Sequence, residues 1–508
     1  MSRIITLVSV ITVSSLLLGA QLQGSDKTEQ PNIVFLMADD LGYGDLGSYG
    51  QEKIKTPNLD QMAAEGMRFT QFYAGSPVCA PSRSVLMTGL HTGHTPKRGN
   101  VRGGGPIEYF SSQDSEGYPK EYPIPYSATT VAEVMQNAGY ATGGFGKWGL
   151  GYPGSEGAPS RQGFDQFFGF VAQLRAHFFY PEFLMWETRI GGAERVPLQG
   201  NKVIEKIIGS GPVRSRGQYS QNVITAEALS FIEEHSDNPF FLYVPFQLPH
   251  VALEVPAQEK NIYQDEDGNS VFPENKFESD YWGDQQQPRA TYAAMVTLMD
   301  KHVGQIIDKL KEQGISDNTL VIFTSDNGAE LASGGTDPDF FKSNGPLRGY
   351  KRDVYEGGIR VPMIAWWPGK IKEGSTSDHL FGFQDMMPTF AELAGASTPP
   401  NVDGISIVPT LLGKQTQVRH DYLYWEFNLQ GGKQAVRSGK WKAVRLNVSE
   451  DPDAPVQLYN LHSDIGETNN IAANHPEIVE EMREIMEQAH IPSETYPLFK
   501  TDLKPDYE

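Results

Sequence analysis

Three short apolar runs, residues 32–37 (Asn-Ile-Val-Phe-Leu-Met), 239–244 (Pro-Phe-Phe-Leu-Tyr-Val) and 320–323 (Leu-Val-Ile-Phe), set the strongest limit on how this chain folds. Each has the length of a strand and none shows the polar alternation of a half-solvated one. They predict strands buried on both faces, as in a parallel sheet with helices on either side. The first runs into Asp39-Asp40 and the third into Asp326-Asn327. In open α/β sheets ligands bind beyond the carboxyl ends of the strands. Adjacent carboxylates at such a place are costly unless a cation sits between them, although a solvated turn explains the first pair equally well when taken alone. Together, Asp39, Asp40, Asp326 and Asn327 form a hard, all-oxygen set that suits Ca²⁺ or Mg²⁺ rather than zinc.

Helices are expected at 130–138, 220–235 and 290–312. In the last, Tyr292, Met295, Met299, Val303, Ile306 and Leu310 recur at three- and four-residue spacing. Residues 257–288, rich in Asp, Glu, Asn and Gln, read as an inserted, lid-like loop. Beyond about 418 the character changes. Short strand-like runs at 420–427, 434–438, 441–446 and 457–461, then a helix at 477–489, predict a small antiparallel sheet with one helix. The start of the chain, Met1-Ser2-Arg3 followed by an apolar stretch to Leu18 and then Gly19-Ala20, reads as a secretory signal peptide. That stretch is shorter than the ~20 residues of a spanning helix, and Gln21 stands where a lipoprotein has cysteine. The expected layout is a signal at 1–20, a flexible lead-in at 21–30, a large domain at 31–417 and a C-terminal subdomain at 418–508, exported to the periplasm or beyond.

The single cysteine, Cys79, excludes intrachain disulfides. A lone cysteine is usually a small buried hydrophobe, but the setting here is unusual: Pro77-Val78-Cys79-Ala80-Pro81-Ser82-Arg83, then Thr88-Gly89. Pro81 suits a first helical turn, so a helix is expected over 82–88, ended by Gly89. That puts Cys79 just before a helix N-terminus, where free N–H groups favour an anion, with Arg83 one turn on and in reach of it. The formal net charge of −21 argues against a nucleic-acid partner. It also sits awkwardly with a polyanionic substrate unless a local basic pocket overrides it.

Cys79-x-Pro81-Ser82-Arg83 followed by Thr88-Gly89 resembles the signature of the type I sulfatases. Gly144-Phe145-Gly146-Lys147, Gly163-Phe164-Asp165, Pro249-His250, Asp326-Asn327-Gly328, and Lys351 ahead of Tyr355-Glu356-Gly357-Gly358 resemble further family stretches in family order, over about 31–490. The resemblance implies an α/β, alkaline-phosphatase-like core with a large mixed sheet flanked by helices, plus a small C-terminal α+β subdomain. It implies that a separate maturation enzyme oxidises Cys79 to Cα-formylglycine (3-oxoalanine), whose hydrate attacks sulfur. It further implies one calcium ion held by Asp39, Asp40, Asp326, Asn327 and the modified Cys79, with Lys147, Lys351 and Arg83 at the sulfate and His250 protonating the leaving alcohol. One departure stands out. The family usually has histidine where this chain has Gly149, and His177 is a candidate to fill that role, although any single histidine is more often structural.

Arg98, Asn100 and His177, with Tyr180, Trp425 and Glu426, are candidates to face a sugar, because polar and aromatic groups suit hydroxyls and ring faces. The expected substrate is a sulfated polysaccharide or its oligosaccharides: an algal galactan, ulvan or a glycosaminoglycan. Two other readings are a formylglycine-dependent phosphoester or phosphonate hydrolase, and a non-catalytic glycan-binding protein that keeps Cys79 as a thiol.

Overall fold

The computed structural model describes residues 30–100, 118–119, 121–331 and 333–503. The expected signal peptide and nearly all of the lead-in lie outside them. The three apolar runs form β1 (Asn32–Ala38), β9 (Phe240–Pro245) and β10 (Thr319–Ser325), in register side by side. Around them are β2 (Met67–Tyr73), β3 (Ala141–Lys147), β4 (Gln166–Phe170), the hairpin β5 (Phe183–Thr188) and β6 (Gly192–Pro197), β11 (Arg360–Trp366), β12 (Ser375–Ser377) and β13 (Phe381–Gly382). A separate small pair is formed by β7 (Lys202–Val203) and β8 (Val213–Ser215). The large sheet runs β12-β2-β11-β10-β1-β9-β3-β4-β5-β6, with β13 beside β2. Its centre, β10-β1-β9-β3-β4, is parallel, and antiparallel strands extend it on both sides.

The period of two along β1 explains why the strand is apolar throughout. Val34, Leu36 and Ala38 enter one core with the helices Pro57–Glu65, Ser220–Glu234 and Pro288–Glu312. Ile33, Phe35 and Met37 enter a second core with Val131–Asn137 and Met386–Leu393. Each of these side chains except Ala38, fully buried, contributes about 1.5–3 kcal/mol. Thr130 and Glu133 form a reciprocal capping box at the start of Val131–Asn137. The long helix begins at Pro288, two residues before the expected start, because proline is tolerated at the first helical position.

Among the strands not legible in sequence are β11 and the β5–β6 hairpin. β11 contains Pro362, which argues against a central strand; the structure accommodates it with a register shift between Val361 and Met363. The β5–β6 hairpin is an edge whose outer strand is almost wholly exposed, so it lacks the apolar alternation that would announce it.

The small sheet consists of β14 (Leu423–Phe427), β15 (Lys433–Ser438), β16 (Trp441–Leu446) and β17 (Gln457–Asn460), antiparallel in that order, with the helix Pro476–Ala489 against it. Its other face shares a core with Tyr73, Val78, Val354, Tyr355 and Ile359 of the large sheet's neighbourhood.

Gly146, near the carboxyl end of β3, has φ 145°, and a Cβ there would lie 1.9 Å from the Pro245 carbonyl oxygen of β9. Only glycine permits that approach, and backbone on backbone cannot yield cheaply. Gly146→Ala should therefore lower stability by about 2–4 kcal/mol, combining backbone strain with overpacking. Urea unfolding followed by circular dichroism measures it, and an unchanged midpoint would show that the two strand ends slide apart freely.

Candidate active site

The carboxyl ends of β1, β3, β9 and β10 converge on one buried centre. Asp39 and Asp40 follow β1. Side chains of consecutive residues in an extended chain point to opposite sides, but Asp40 lies in the left-handed region at φ 67°, and this turn brings both carboxylates to the same centre. Asp326 and Asn327 follow β10. The Asp40 N–H donates to Asp326 Oδ1 at 3.2 Å, and Asn327 Nδ2 donates to Asp40 Oδ1 at 2.8 Å. The four predicted oxygen donors are thus brought together, and all four residues are buried.

Cys79 reaches this centre from the helix Cys79–Thr88. Here the structure corrects the expected boundary: Cys79 is itself the first helical residue, capped by Val78, and Gly89 closes the helix at φ 70°. Cys79 Sγ lies 3.5 Å from Asp39 Oδ1 and 3.9 Å from Asp40 Oδ1. Burial pushes its thiol far above the ordinary range, and Asp39 and Asp326 add to that against the pull of Lys147 and Lys351. The Ala80 N–H donates to Asn100 Oδ1 at 3.1 Å, which pins the first turn.

Three cations face the three carboxylates. Lys147, ending β3, places Nζ 2.6 Å from Asp39 Oδ2, and Lys351 places Nζ 2.7 Å from Asp40 Oδ2. Arg83 donates through Nε (3.1 Å) and Nη2 (2.8 Å) to Asp326 Oδ2 and through Nη1 to the Lys147 carbonyl. The cluster is balanced in charge until something is added to it. Burial alone would raise the Asp39 carboxyl, but Lys147, His250, Arg83 and Lys351 outweigh it and hold the group well below the carboxylate range. Burial, with Asp39 next to it, pushes Asp326 up, and Arg83 opposes the shift. Burial lowers the Lys147 and Lys351 ammoniums, but Asp39 and Asp40 more than compensate, so both stay charged.

A cavity of ≈170 Å³ opens in front of this cluster, lined by Cys79, Asn100, Lys147, His177, His250 and Lys351 among others. His250 Nε2 is 3.5 Å from Asp40 Oδ2, while its Nδ1 contacts the Val251 carbonyl. Burial lowers its pKa to about 4, helped by Lys351 and opposed by Asp40. His177 stacks on His250 with ring centroids 5.0 Å apart and 13° between planes. Trp282, from the inserted 257–288 segment, packs against His177 at 5.3 Å and forms the outer wall. Nothing in the residues around Trp282 is patterned, so its place on the cavity wall is not legible before the fold is known.

Several expected sugar-facing groups are committed elsewhere. Arg98 is buried, bonded to Glu426 at 3.0 Å, to the Thr95 carbonyl at 3.1 Å and to the Ile491 carbonyl at 2.5 Å, so its donors are used within the protein rather than offered to a ligand. Trp425 packs on Tyr73 and donates to the Ala74 carbonyl. Tyr180 lies on a separate surface groove with Arg216. Arg83 is fully buried and holds Asp326 instead of lining the cavity.

A second cluster, His91, His94 and Asp403, also brings nitrogen and oxygen atoms close. His91 Nδ1 accepts from the Gly93 N–H at 3.1 Å, so the neutral ring carries its proton on Nε2, the atom that faces Asp403 at 3.8 Å. His94 Nδ1 meets the same carboxylate at 2.9 Å. This is a hydrogen-bonded clasp between the loop after Gly89 and Asp403.

This geometry can be set beside known proteins. Residues 31–396 match the Sulfatase family, and residues 349–491 match the family described as N-sulphoglucosamine sulphohydrolase, C-terminal. The chain is 33% identical over 437 residues to the N-acetylgalactosamine-6-sulfatase of Canis lupus familiaris, covering 84% of this chain and 73% of that protein. It is 30% identical over 535 residues to the N-acetylgalactosamine-6-O-sulfatase of Bacteroides thetaiotaomicron, covering 92% and 94%. A solved structure from work on the metabolism of multiple glycosaminoglycans by Bacteroides thetaiotaomicron superposes with a TM-score of 0.70 at 27% identity, covering 91% of this chain and 99% of that one. The two matched segments between them take in both sheets and every residue that lines the cavity, and the chain accordingly belongs to the sulfatase family, as a sulfuric ester hydrolase with an alkaline-phosphatase-like core and a small C-terminal domain.

Proposed function

We propose that this sulfatase removes sulfate from a sulfated glycan, acting on a terminal sugar, with Cys79 converted to formylglycine and one calcium ion at the carboxylate cluster. The observation that carries the reading is the single cavity in which Cys79, Lys147, Lys351 and His250 meet in front of Asp39 and Asp40. Its ≈170 Å³ is small beside the roughly 300–1,000 Å³ pockets that engulf drug-sized ligands. It suits a sulfate group and the ring that bears it, with the rest of a glycan outside.

The donor set fits a hard divalent ion. Asp39, Asp40 and Asp326 supply carboxylate oxygens, and Asn327 Oδ1 is buried without a hydrogen-bond partner among the described residues. When bound, calcium offsets the negative charge of the sulfate ester's oxygens. Converted to formylglycine, Cys79 offers a hydrated-aldehyde hydroxyl as the nucleophile. A divalent ion held by Asp39, Asp40, Asp326 and Asn327 would add positive charge to the cluster, and Lys147 and Lys351, which face the same cavity, are the residues that would bind the sulfate oxygens. Arg83 opposes the rise of the Asp326 carboxyl and orients it through Nε and Nη2. A maturation enzyme of the formylglycine-generating kind is the implied partner.

His250 is the proton donor in this reading. Neutral in the free protein, it gains a proton when an anionic ester enters beside it, since an adjacent negative charge favours the imidazolium. His250→Ala should slow sugar sulfates, whose alcohol leaves poorly, by about 10²–10⁴-fold, and aryl sulfates far less. Equal losses on both classes would remove His250 from that role.

Both named relatives are N-acetylgalactosamine-6-sulfatases. Glycosaminoglycan oligosaccharides with a 6-sulfated N-acetylgalactosamine at the terminus are therefore the first substrates to test, ahead of algal galactans and ulvan. A panel of oligosaccharides sulfated at defined positions, with released sulfate measured by ion chromatography, should give turnover on terminal 6-sulfates. Turnover confined to steroid or lipid sulfates would overturn the glycan reading. Export through a signal at 1–20, and a division into 31–417 and 418–508, belong to the same proposal. No helix among the described residues is long and apolar enough to cross a membrane.

A further inference from the structure

Lys351 is followed by a second cation that the chemistry above does not use. Arg352 lines the same cavity as Cys79, Lys147, His250 and Lys351, and 34% of its side chain is exposed, whereas the Lys351 side chain is buried. It therefore stands where the cavity opens to solvent. One carboxylate ties the two cations together. Glu330, itself buried, places Oε2 3.6 Å from Lys351 Nζ and Oε1 2.8 Å from Arg352 Nη1. The guanidinium can thus be no further from the Lys351 ammonium than two short contacts and the width of that carboxylate. Nη1 is the only nitrogen of this guanidinium with a hydrogen-bond partner among the described residues, so Nε and Nη2 are unspent.

The backbone under this side chain is strained and firmly held. Arg352 lies in the left-handed region at φ 78°; its N–H donates to the Pro77 carbonyl at 2.8 Å, two residues before Cys79, and its own carbonyl accepts from Lys433 Nζ at 2.8 Å. A residue other than glycine in that region costs about 1–3 kcal/mol, and such strain gathers at binding sites. Glycine would make the turn and keep both main-chain bonds without that cost, so the turn gives no reason for an arginine. The ion pair with Glu330 gives only part of one. Lys351 already faces that carboxylate, and a pair with one partner a third in water adds about 0–1 kcal/mol. What the strain maintains is a guanidinium edge with open donors at the cavity mouth, a fork that fits a carboxylate or a sulfate. In a chain of net charge −21, a polyanionic ligand needs such local cations to approach.

We propose that Arg352 binds an anionic group, a carboxylate or a second sulfate, on the sugar next to the one that loses its sulfate, an inference that rests on the glycan reading above. The ≈170 Å³ cavity takes the sulfated ring, and the neighbouring sugar lies outside it, at the level where Arg352 is exposed. The preferred substrates are then glycans that carry negative charge on successive sugars, ahead of neutral chains with isolated sulfates. Arg352 acts on binding and selectivity, and the sulfur chemistry stays with the groups around Cys79.

The test compares N-acetylgalactosamine 6-sulfate alone with three disaccharides in which it is joined to a uronic acid, to the same sugar with its carboxyl reduced to an alcohol, or to a neutral hexose bearing one further sulfate. Full-length enzyme produced with a maturation enzyme is used, and released sulfate is measured by ion chromatography. The parent should favour the uronate, the doubly sulfated disaccharide or both over the reduced one by about ten-fold in kcat/KM, carried by KM, and the favoured member identifies the anion. Arg352→Gln should abolish that preference, raising KM on the favoured disaccharide about ten-fold with kcat little changed, and should cost the monosaccharide far less. Arg352→Lys leaves a charge beside Glu330 and removes the fork; it should lose most of the same preference, and serves if the Gln variant fails to fold. A parent without the preference would overturn the proposal. So would a Gln variant that loses equally on every substrate, which would make Arg352 only a structural partner of Glu330. A parent that turns over an aryl sulfate and none of the four saccharides would instead bring down the glycan reading itself.

Discussion

Cys79→Ala leaves a folded protein with turnover reduced by about 10⁴-fold or more. The fold should tolerate the change, because Sγ makes only long contacts to Asp39 and Asp40, at 3.5 and 3.9 Å, and alanine suits the first turn of a helix. The chemistry should not tolerate it. As a thiol, Cys79 is held neutral by burial and by the carboxylates beside it, so a thiolate nucleophile is not accessible at neutral pH. The thiol's inertness in this setting is itself a reason to expect another functional group there. Peptide mass spectrometry of active parent enzyme should find the aldehyde at residue 79. An active preparation containing only unmodified cysteine would sink the mechanism, and parental activity in the alanine variant would do the same.

Asp326→Ala should have the second largest effect, and it should separate two properties of the centre. Arg83 is fully buried, and Asp326 Oδ2 accepts from both its Nε and its Nη2. Removing the carboxylate leaves a buried guanidinium with the Lys147 carbonyl and the more distant Asp39, 3.7 Å from Nη2. Breaking such a pair from one side costs about 3–5 kcal/mol. The same substitution removes an oxygen donor from the proposed calcium set. Parent protein stripped with a chelator should lose activity and regain it with calcium. Its melting temperature should rise on calcium addition, by an amount corresponding to about 2.7 kcal/mol at a hundred-fold excess over Kd. In the variant, calcium should leave the melting temperature unchanged. A chelator-treated parent with full activity and no bound ion would refute the calcium assignment.

Much of this centre was legible because it rests on strand ends. A strand buried on both faces has to be apolar throughout, so the acids that follow β1 and β10 stand out sharply against it, and parallel pairing brings ends far apart in sequence to one place. Lys147 and His250 follow the same logic at the ends of β3 and beyond β9. What stayed hidden depends on how side chains are spent. Arg98 looks like a ligand contact in a polar loop, and only the Glu426 carboxylate, 328 residues further on, reveals it as structural. Arg352 and Trp282 lie on loops with no period, where an arginine or a tryptophan carries no signal of direction. Gly149 was visible as a departure from the family pattern, but its left-handed φ and the Gln173 amide beside it were not.

The grip of the small sheet on the loop around Cys79 has a bearing on timing. The Ala74 carbonyl waits for the Trp425 indole, the Thr92 hydroxyl for the Glu426 N–H, and the Arg98 guanidinium for Glu426 and the carbonyl of Ile491. These partners leave the ribosome well after the cysteine does, because Trp425, Glu426 and Ile491 all follow Cys79 by most of the large sheet. During synthesis the front of the chain is therefore made with the segment around Cys79 still open, and the later residues arrive as the latch. Chemistry that has to reach a cysteine only 2% exposed in the finished protein has that interval in which to act, and a chain cut short before 418 would remain permanently unlatched.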